Sequence, residues 1–136
     1  MWRLNVTAEY KDRVFEVERF FLANRHGFKS GDVLLIQLVR RDERKRIRRV
    51  RGYMIFDRFS ENSKEDSRSI YGREWAHELI PSRVVKFDEE DRFDLSFLLG
   101  ARAQRYDNQA EVVLVDESDQ AKIIERIRKI EGRSLF

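Results

Sequence analysis

The stretch "FKSGDVLLIQLVRRDERKRIRRVRGYMIFDRF", residues 28–59, decides the fold. "VLLIQLV" (33–39) is a short apolar run rich in β-formers and bounded by a Gly-Asp turn, as a buried strand requires. "IRRVRGYMIF" (47–56) alternates, with Val50, Gly52, Met54 and Phe56 on one face and Arg49, Arg51, Tyr53 and Ile55 on the other. The two runs form a hairpin. Its connection, "RRDERKRIRRVRG" (40–52), holds eight basic residues (Arg40, Arg41, Arg44, Lys45, Arg46, Arg48, Arg49, Arg51) against Asp42 and Glu43.

Upstream, "MWRLNVT" alternates as a strand, with Trp2, Leu4 and Val6 on one face and Arg3 and Asn5 on the other. Thr7 is placed to cap a helix over "AEYKDRVFEVERFFLANR", where Val14, Val17 and Phe21 recur at helical spacing beside Phe15 and Leu22. "HGFKSGD" (26–32) breaks that helix in a turn. Downstream, "SENSKEDSRSIYGR" (60–73) is polar and without period, and reads as a long loop. "EWAHELI" and "SRVVKF" flank Pro81, the one proline, and read as strands bent at a sheet edge. "DLSFLL" (94–99) is a short helix or turn, "GARAQRYDNQ" (100–109) a second loop, and "AEVVLV" (110–115) a last strand. "DESDQAKIIERIRKI" is a helix with acids first and bases last, Ile123, Ile127 and Ile130 on one face, and Glu125 four before Lys129. The pattern predicts one α+β domain over 1–136, a small barrel of about five or six mostly antiparallel strands with flanking helices. The tail "EGRSLF" reads as the start of a link, so further domains after residue 136 are one expectation.

Hydrophobic residues make up 41% of the 136 positions, ten of them Phe, enough for a core. There is no cysteine, which excludes a disulfide framework and a Cys metal site. With His26 and His77 alone, a zinc site would need carboxylates, and no cofactor is expected. The longest apolar run falls far short of a membrane span and there is no signal-peptide core, so the expectation is a cytoplasmic protein without a membrane partner. Net charge is only +3, so the protein is not uniformly basic. The charge is segregated instead: bases in 40–51, acids in "DEEDRFD" (88–94) and "DESD" (116–119). Richness in Arg, Lys and Glu is a thermophile habit that explains the amount of charge but not its clustering.

Taken in order, these segments resemble the PUA-like β-barrels, especially the EVE, YTH and ASCH branches. Those domains have a Gly-Asp turn, an apolar strand, a variable hairpin and a strand with glycine in its first half. "FKSGDVLLIQLVRR" and "RRVRGYMIFDRF" follow that order; "MWRLNVT" is similar to the first strand, "EWAHELIP" to the strand after the variable loop, "DLSFLLGARAQRY" to the late Leu-x-Phe segment and basic loop, and "VDESDQAKIIERI" to the closing helix. "VFEV" (14–17) stands where EVE domains carry an aromatic, commonly Trp, so Phe15 departs from the pattern. The resemblance implies nucleic-acid recognition: a flipped or unpaired base, often methylated, held in an aromatic pocket. It also implies a place as the DNA-reading domain of a modification-dependent restriction system of the McrB type.

Candidate residues follow from chemistry. Phosphate contact wants dense Arg and Lys, because neutralised phosphates release counterions. Arg40, Arg41, Arg44, Lys45, Arg46 and Arg48 in the hairpin and Arg102 and Arg105 in the second basic loop are the backbone contacts expected; the bland alternative for the hairpin is a solvated tip that blocks edge aggregation. A base needs a flat partner, and Phe15, Trp75, Trp2 and Tyr71 are the expected pocket, with Tyr53 and Tyr106 as further aromatics. For Phe15 and Trp2 the bland alternative is a core role. Asn5, Asn24, Ser30 and Asp32 are the polar readers expected at the pocket entrance, although Ser30 and Asp32 are also ordinary turn residues. Catalysis is not expected. The carboxylates of "DEEDRFD" are consecutive and are not expected to converge, and no nucleophile–base pair stands out. The expected function is a nucleic-acid-binding module, DNA favoured over RNA. Alternatives are an RNA-binding PUA/ASCH-type domain, a small ASCH-type nucleoside hydrolase using residues such as Thr7, Lys11 and Glu74, and a protein-interaction domain whose charged hairpin only solubilises it.

Overall fold

In the computed structural model, residues 1–6, 13–41, 46–60, 64–108 and 110–134 are described. The apolar run and its partner form the predicted hairpin: β3 (Val33–Arg41) pairs antiparallel with β4 (Arg46–Ser60) from Val33↔Ile55 to Arg41↔Arg46. β1 (Trp2–Val6) joins β3 in parallel, from Trp2↔Leu34 to Val6↔Leu38. β6 (Val112–Leu114) pairs antiparallel with β1, β5 (His77–Lys86) with β4, and β2 (Phe20–Leu22) with β5. The result is a curled six-stranded mixed sheet, ordered β2-β5-β4-β3-β1-β6, with α1 (Arg13–Val17), α2 (Lys64–Tyr71), α3 (Leu95–Leu99) and α4 (Glu117–Ser134) around it. The expected α+β architecture, a curled sheet with flanking helices, is the one observed.

Alternation along the strands builds two cores. Leu4, Val6, Leu34, Ile36, Met54 and Phe56 meet Val14 of α1 and Leu22 of β2 on one face. Leu35, Val50 and Tyr53 meet Leu95, Leu99, Ile123, Ile127 and Ile130 of α3 and α4 on the other. The expected shared face of Val50, Gly52, Met54 and Phe56 needs a correction. The register shifts between Ile36↔Gly52 and Gln37↔Val50, leaving Arg51 as the extra residue of a bulge. Because side chains alternate with a period of two, one added residue moves Val50 to the helix-covered face.

Four other expectations change. The helix over 8–25 is only α1 where described; Glu18 turns the chain at φ 53°, and Phe20–Leu22, buried at every position, is an edge strand. The run 60–73 contains helix α2, whose fully buried Ser67 lets it pack closely without an apolar stripe. The two strands around Pro81 are one strand, β5. β2 covers only His77–Leu79, so from Ile80 onward the outer edge of β5 carries no strand among the described residues, and proline's missing N–H costs no ladder bond there. The 100–109 loop is a 3₁₀ turn from Gly100 to Tyr106 that sends Tyr106 into the core at 1% exposure, not to the surface. Among the described residues no helix is long and apolar enough to cross a membrane.

Candidate nucleic-acid interface

Beyond Leu38, β1 no longer accompanies β3, and β5 begins its pairing with β4 at Gly52. The rows Val39↔Arg48, Arg40↔Ile47 and Arg41↔Arg46 therefore pair only with each other among the described residues. They form a two-stranded ribbon extending past the sheet. Arg40, Arg41, Arg46 and Arg48 are placed on it by backbone pairing alone, and Arg44 and Lys45 lie outside the described residues. The last row places Arg41 and Arg46 in register with each other.

The second basic segment is arranged otherwise. Arg102 Nε donates to Asp119 Oδ1 at 2.7 Å and its Nη2 to Ser118 Oγ at 3.0 Å, while Arg105 ion-pairs with Asp116. Tyr106 donates to Asp119 Oδ2 at 2.5 Å. The hydrogen bond from Arg102 holds Asp119, 2% exposed, below the usual carboxylate range. Burial, then the bond to Asp119, pushes the Tyr106 hydroxyl up. Arg102 and Arg105 thus lock the 100–106 turn to the first turn of α4, each with a carboxylate as partner.

Of the expected pocket residues, Trp2, Phe15 and Tyr71 pack against the one core cluster that holds Val14 and Leu22, each with its own partners. Phe15 lies against the backbone of Gly52. Tyr71 donates to the carbonyl of Arg19 at 2.6 Å and packs edge-on to Phe20 and Phe21; its burial raises the pKa of its hydroxyl. Trp75 lies under Arg73, whose guanidinium carbon is 4.5 Å from the ring, and the backbone N–H of Trp75 donates to Ser67 Oγ. Trp2 Nε1 donates to Asp32 Oδ2 at 3.1 Å, and the same oxygen caps the turn by accepting from Lys29 N. Ser30, in that turn, and Asn24 are exposed. Asn5 sits opposite Gln37, and the side-chain oxygens of both are buried without a hydrogen-bond partner among the described residues.

An unforeseen aromatic group surrounds Trp2. His26 stacks on Phe28 (centroids 5.5 Å) and Phe28 on Phe59 (5.8 Å), with the guanidinium of Arg25 over Phe59 at 5.4 Å. Trp2 and Phe56 meet Phe28 edge-on at 5.0 and 5.3 Å. The only local signal was Arg25, His26 and Phe28 lying close together in a segment read as turn.

Toward catalysis, the expectation that the 88–94 acids stay apart is corrected. One oxygen each from Asp88, Glu90 and Asp91 gathers within 4.8 Å, because a 3₁₀ turn over Glu89–Asp91 brings them to one side. Thr7 and Lys11 lie outside the described residues, and Glu74 is ion-paired with Arg68.

Searches against protein-family models and against curated proteins find no match. Solved structures do match. The ASCH protein of Zymomonas mobilis is 13% identical, with a TM-score of 0.54 over 91% of this chain and 93% of that one. Two single-substitution variants of that protein are each 14% identical, with TM-scores of 0.55 and 0.53 over 91% of this chain. The chain therefore has the fold of an ASCH domain, within the PUA-like class; the EVE and McrB-type affinities are not distinguished by this likeness.

Proposed function

We propose that this chain is a nucleic-acid-binding domain whose grip is the basic ribbon of β3 and β4, with duplex DNA the favoured ligand. The observation that carries this reading is the row Arg41↔Arg46 at the free end of a ribbon flanked by no other strand among the described residues. Like charges in register cost stability, and a phosphate backbone would reverse that cost while releasing counterions. A two-stranded ribbon suits the B-form major groove, about 12 Å wide, whereas the A-form major groove is too narrow to admit it. On the resemblance of its segments to modification readers, we favour the role of DNA-specificity domain in a modification-dependent restriction system. We read it as a binding module rather than an enzyme.

The test is fluorescence anisotropy with unmodified duplex DNA, duplexes carrying N6-methyladenine or 5-methylcytosine, and single-stranded RNA, each at two salt concentrations. Arg46→Glu is expected to weaken duplex binding at least roughly tenfold and flatten its salt dependence, while raising stability slightly by creating an opposite-charge row. Unchanged affinity in a stable Arg46→Glu protein would overturn the ribbon as the grip. Stronger binding of RNA would overturn the DNA assignment.

A further inference from the structure

The aromatic column at the far end of β4 finishes on an arginine that has a fixed plane and, among the described residues, no ion-pair partner. Arg25 donates through Nε to His77 Nδ1 at 3.3 Å. That partner is an imidazole and not a carboxylate. Arg19, Arg68, Arg102 and Arg105 each hold a carboxylate; no ion pair is described for Arg25, which is exposed. Glu111, the carboxylate that reaches this segment, accepts from the amide of Ala23. With its Nε edge on His77 and its face on Phe59, Arg25 keeps the Nη1–Nη2 edge for a ligand. A planar fork held in this way suits bidentate contact with phosphate oxygens.

We infer that Arg25 is a second phosphate anchor, taking a phosphodiester of the same nucleic acid that the ribbon holds; this rests on the proposed function. Arg48 on the ribbon and Phe59 under Arg25 are eleven residues apart on β4. At about 3.3 Å per residue, an extended strand separates them by at most roughly 36 Å, the length of about ten base pairs. A short duplex reaches one anchor and a longer one reaches both.

The experiment compares the unaltered protein with Arg25→Gln, Arg25→Lys and Arg46→Glu on duplexes of about 6 and about 24 base pairs across a salt series, with a thermal melt of each variant. Gln keeps a stem over Phe59 while removing the charge. Arg25→Gln is expected to weaken the long duplex roughly five- to tenfold and lower its salt slope by about 0.9, with the short duplex unchanged. Arg25→Lys keeps the slope and loses part of the affinity, because the charge stays and the fork goes. Arg46→Glu weakens both lengths. Unchanged long-duplex affinity and slope in Arg25→Gln, or equal losses on both lengths with a lowered melting point, would overturn the second anchor and leave the ribbon standing. No binding by the unaltered protein would overturn both.

Discussion

A methyl group on Gly52 has nowhere to go. It would stand 2.1 Å from the carbonyl oxygen of Val85 and 2.7 and 2.8 Å from Cε1 and Cζ of Phe15. Gly52 lies in the β4–β5 ladder opposite Lys86, so clearing the first obstruction means parting two strands rather than turning a side chain. Overpacking in a core costs about 1–3 kcal/mol, and a backbone obstruction belongs at the top of that range. Loosening the adjacent ladder bond adds about 1 kcal/mol, and alanine's smaller unfolded-state entropy offsets up to about 1 kcal/mol. Gly52→Ala should therefore cost about 3 kcal/mol and lower the melting temperature by roughly 10 °C for a domain of this size. Urea unfolding followed by the fluorescence of Trp2 and Trp75, with a thermal melt, measures both. A loss below about 0.5 kcal/mol would refute the reasoning. Phe15→Ala separates the two causes. Alone it should cost about 2 kcal/mol, less than a fully buried Phe. In the double variant the ring contacts vanish and the Val85 contact stays, so the combined loss should fall short of the sum by about 1 kcal/mol. Strict additivity would refute the part assigned to Phe15 and leave the glycine serving the strand contact alone.

Two further substitutions test buried charges. Arg3 is 0% exposed, donates to Ala110 O at 2.7 Å and Asn108 Oδ1 at 3.0 Å, and burial lowers its pKa to about 10. Arg3→Met takes the donor from the Ala110 carbonyl and leaves Asn108 Oδ1 with the Ala110 amide alone, and should cost about 1–3 kcal/mol at neutral pH; since the unfolded chain keeps the Arg3 proton longer, the unaltered protein's advantage over the variant should grow as pH rises above about 10, which paired urea titrations would reveal. Asp119→Asn removes the charge that Arg102 and Tyr106 hold. A carboxylate with a depressed folded pKa contributes fully above its ordinary value and loses that contribution as pH falls through the folded one, so the urea midpoints of the two proteins should differ at neutral pH and converge in strong acid; a constant gap would contradict the pairing.

Strand β3 was legible as a short apolar run buried on both faces, and α4 because it buries one face through an uninterrupted helical period. Leu34, Ile36 and Leu38 alternate with Leu35 and Gln37, and Ile123, Ile127 and Ile130 recur at helical spacing. Elements held by something other than period were not legible. Helix α2 seats a small buried Ser67 and a tethered Tyr71, so its sequence looks like a polar loop. Phe20–Leu22 reads as more helix because the residue that breaks it, Glu18, takes a positive φ without being glycine. The bulge at Arg51 leaves no mark in composition, yet it decides which face Val50 occupies. The site divides the same way. Local charge density marked the ribbon, whereas the column under Arg25 joins the 25–28 turn to Phe59 and His77, far along the chain, and no window of sequence holds them together.

Charge pairing separates the arginines more sharply than their number does. The chain is nearly balanced, 28 bases against 25 acids, so a basic residue acts on an outside anion only where the fold withholds an acid from it. At Arg102, Arg105, Arg19 and Arg68 an acid is supplied, and these side chains fasten a turn, a strand or a helix. At Arg25 the partner is an imidazole, and at Arg41 the register partner is another arginine. Arg105 sits in a basic loop and is ion-paired with Asp116, whereas Arg25 sits in a turn with little basic density and has no described ion pair. Local basic density therefore does not tell which arginines are given an acid partner. A charge-swap series follows from that: Arg105→Glu should cost stability with little change in nucleic-acid affinity, because it sets a second acid against Asp116, while Arg46→Glu should do the reverse. Parallel anisotropy and melting measurements decide it, and loss of affinity without loss of stability in Arg105→Glu would refute the division.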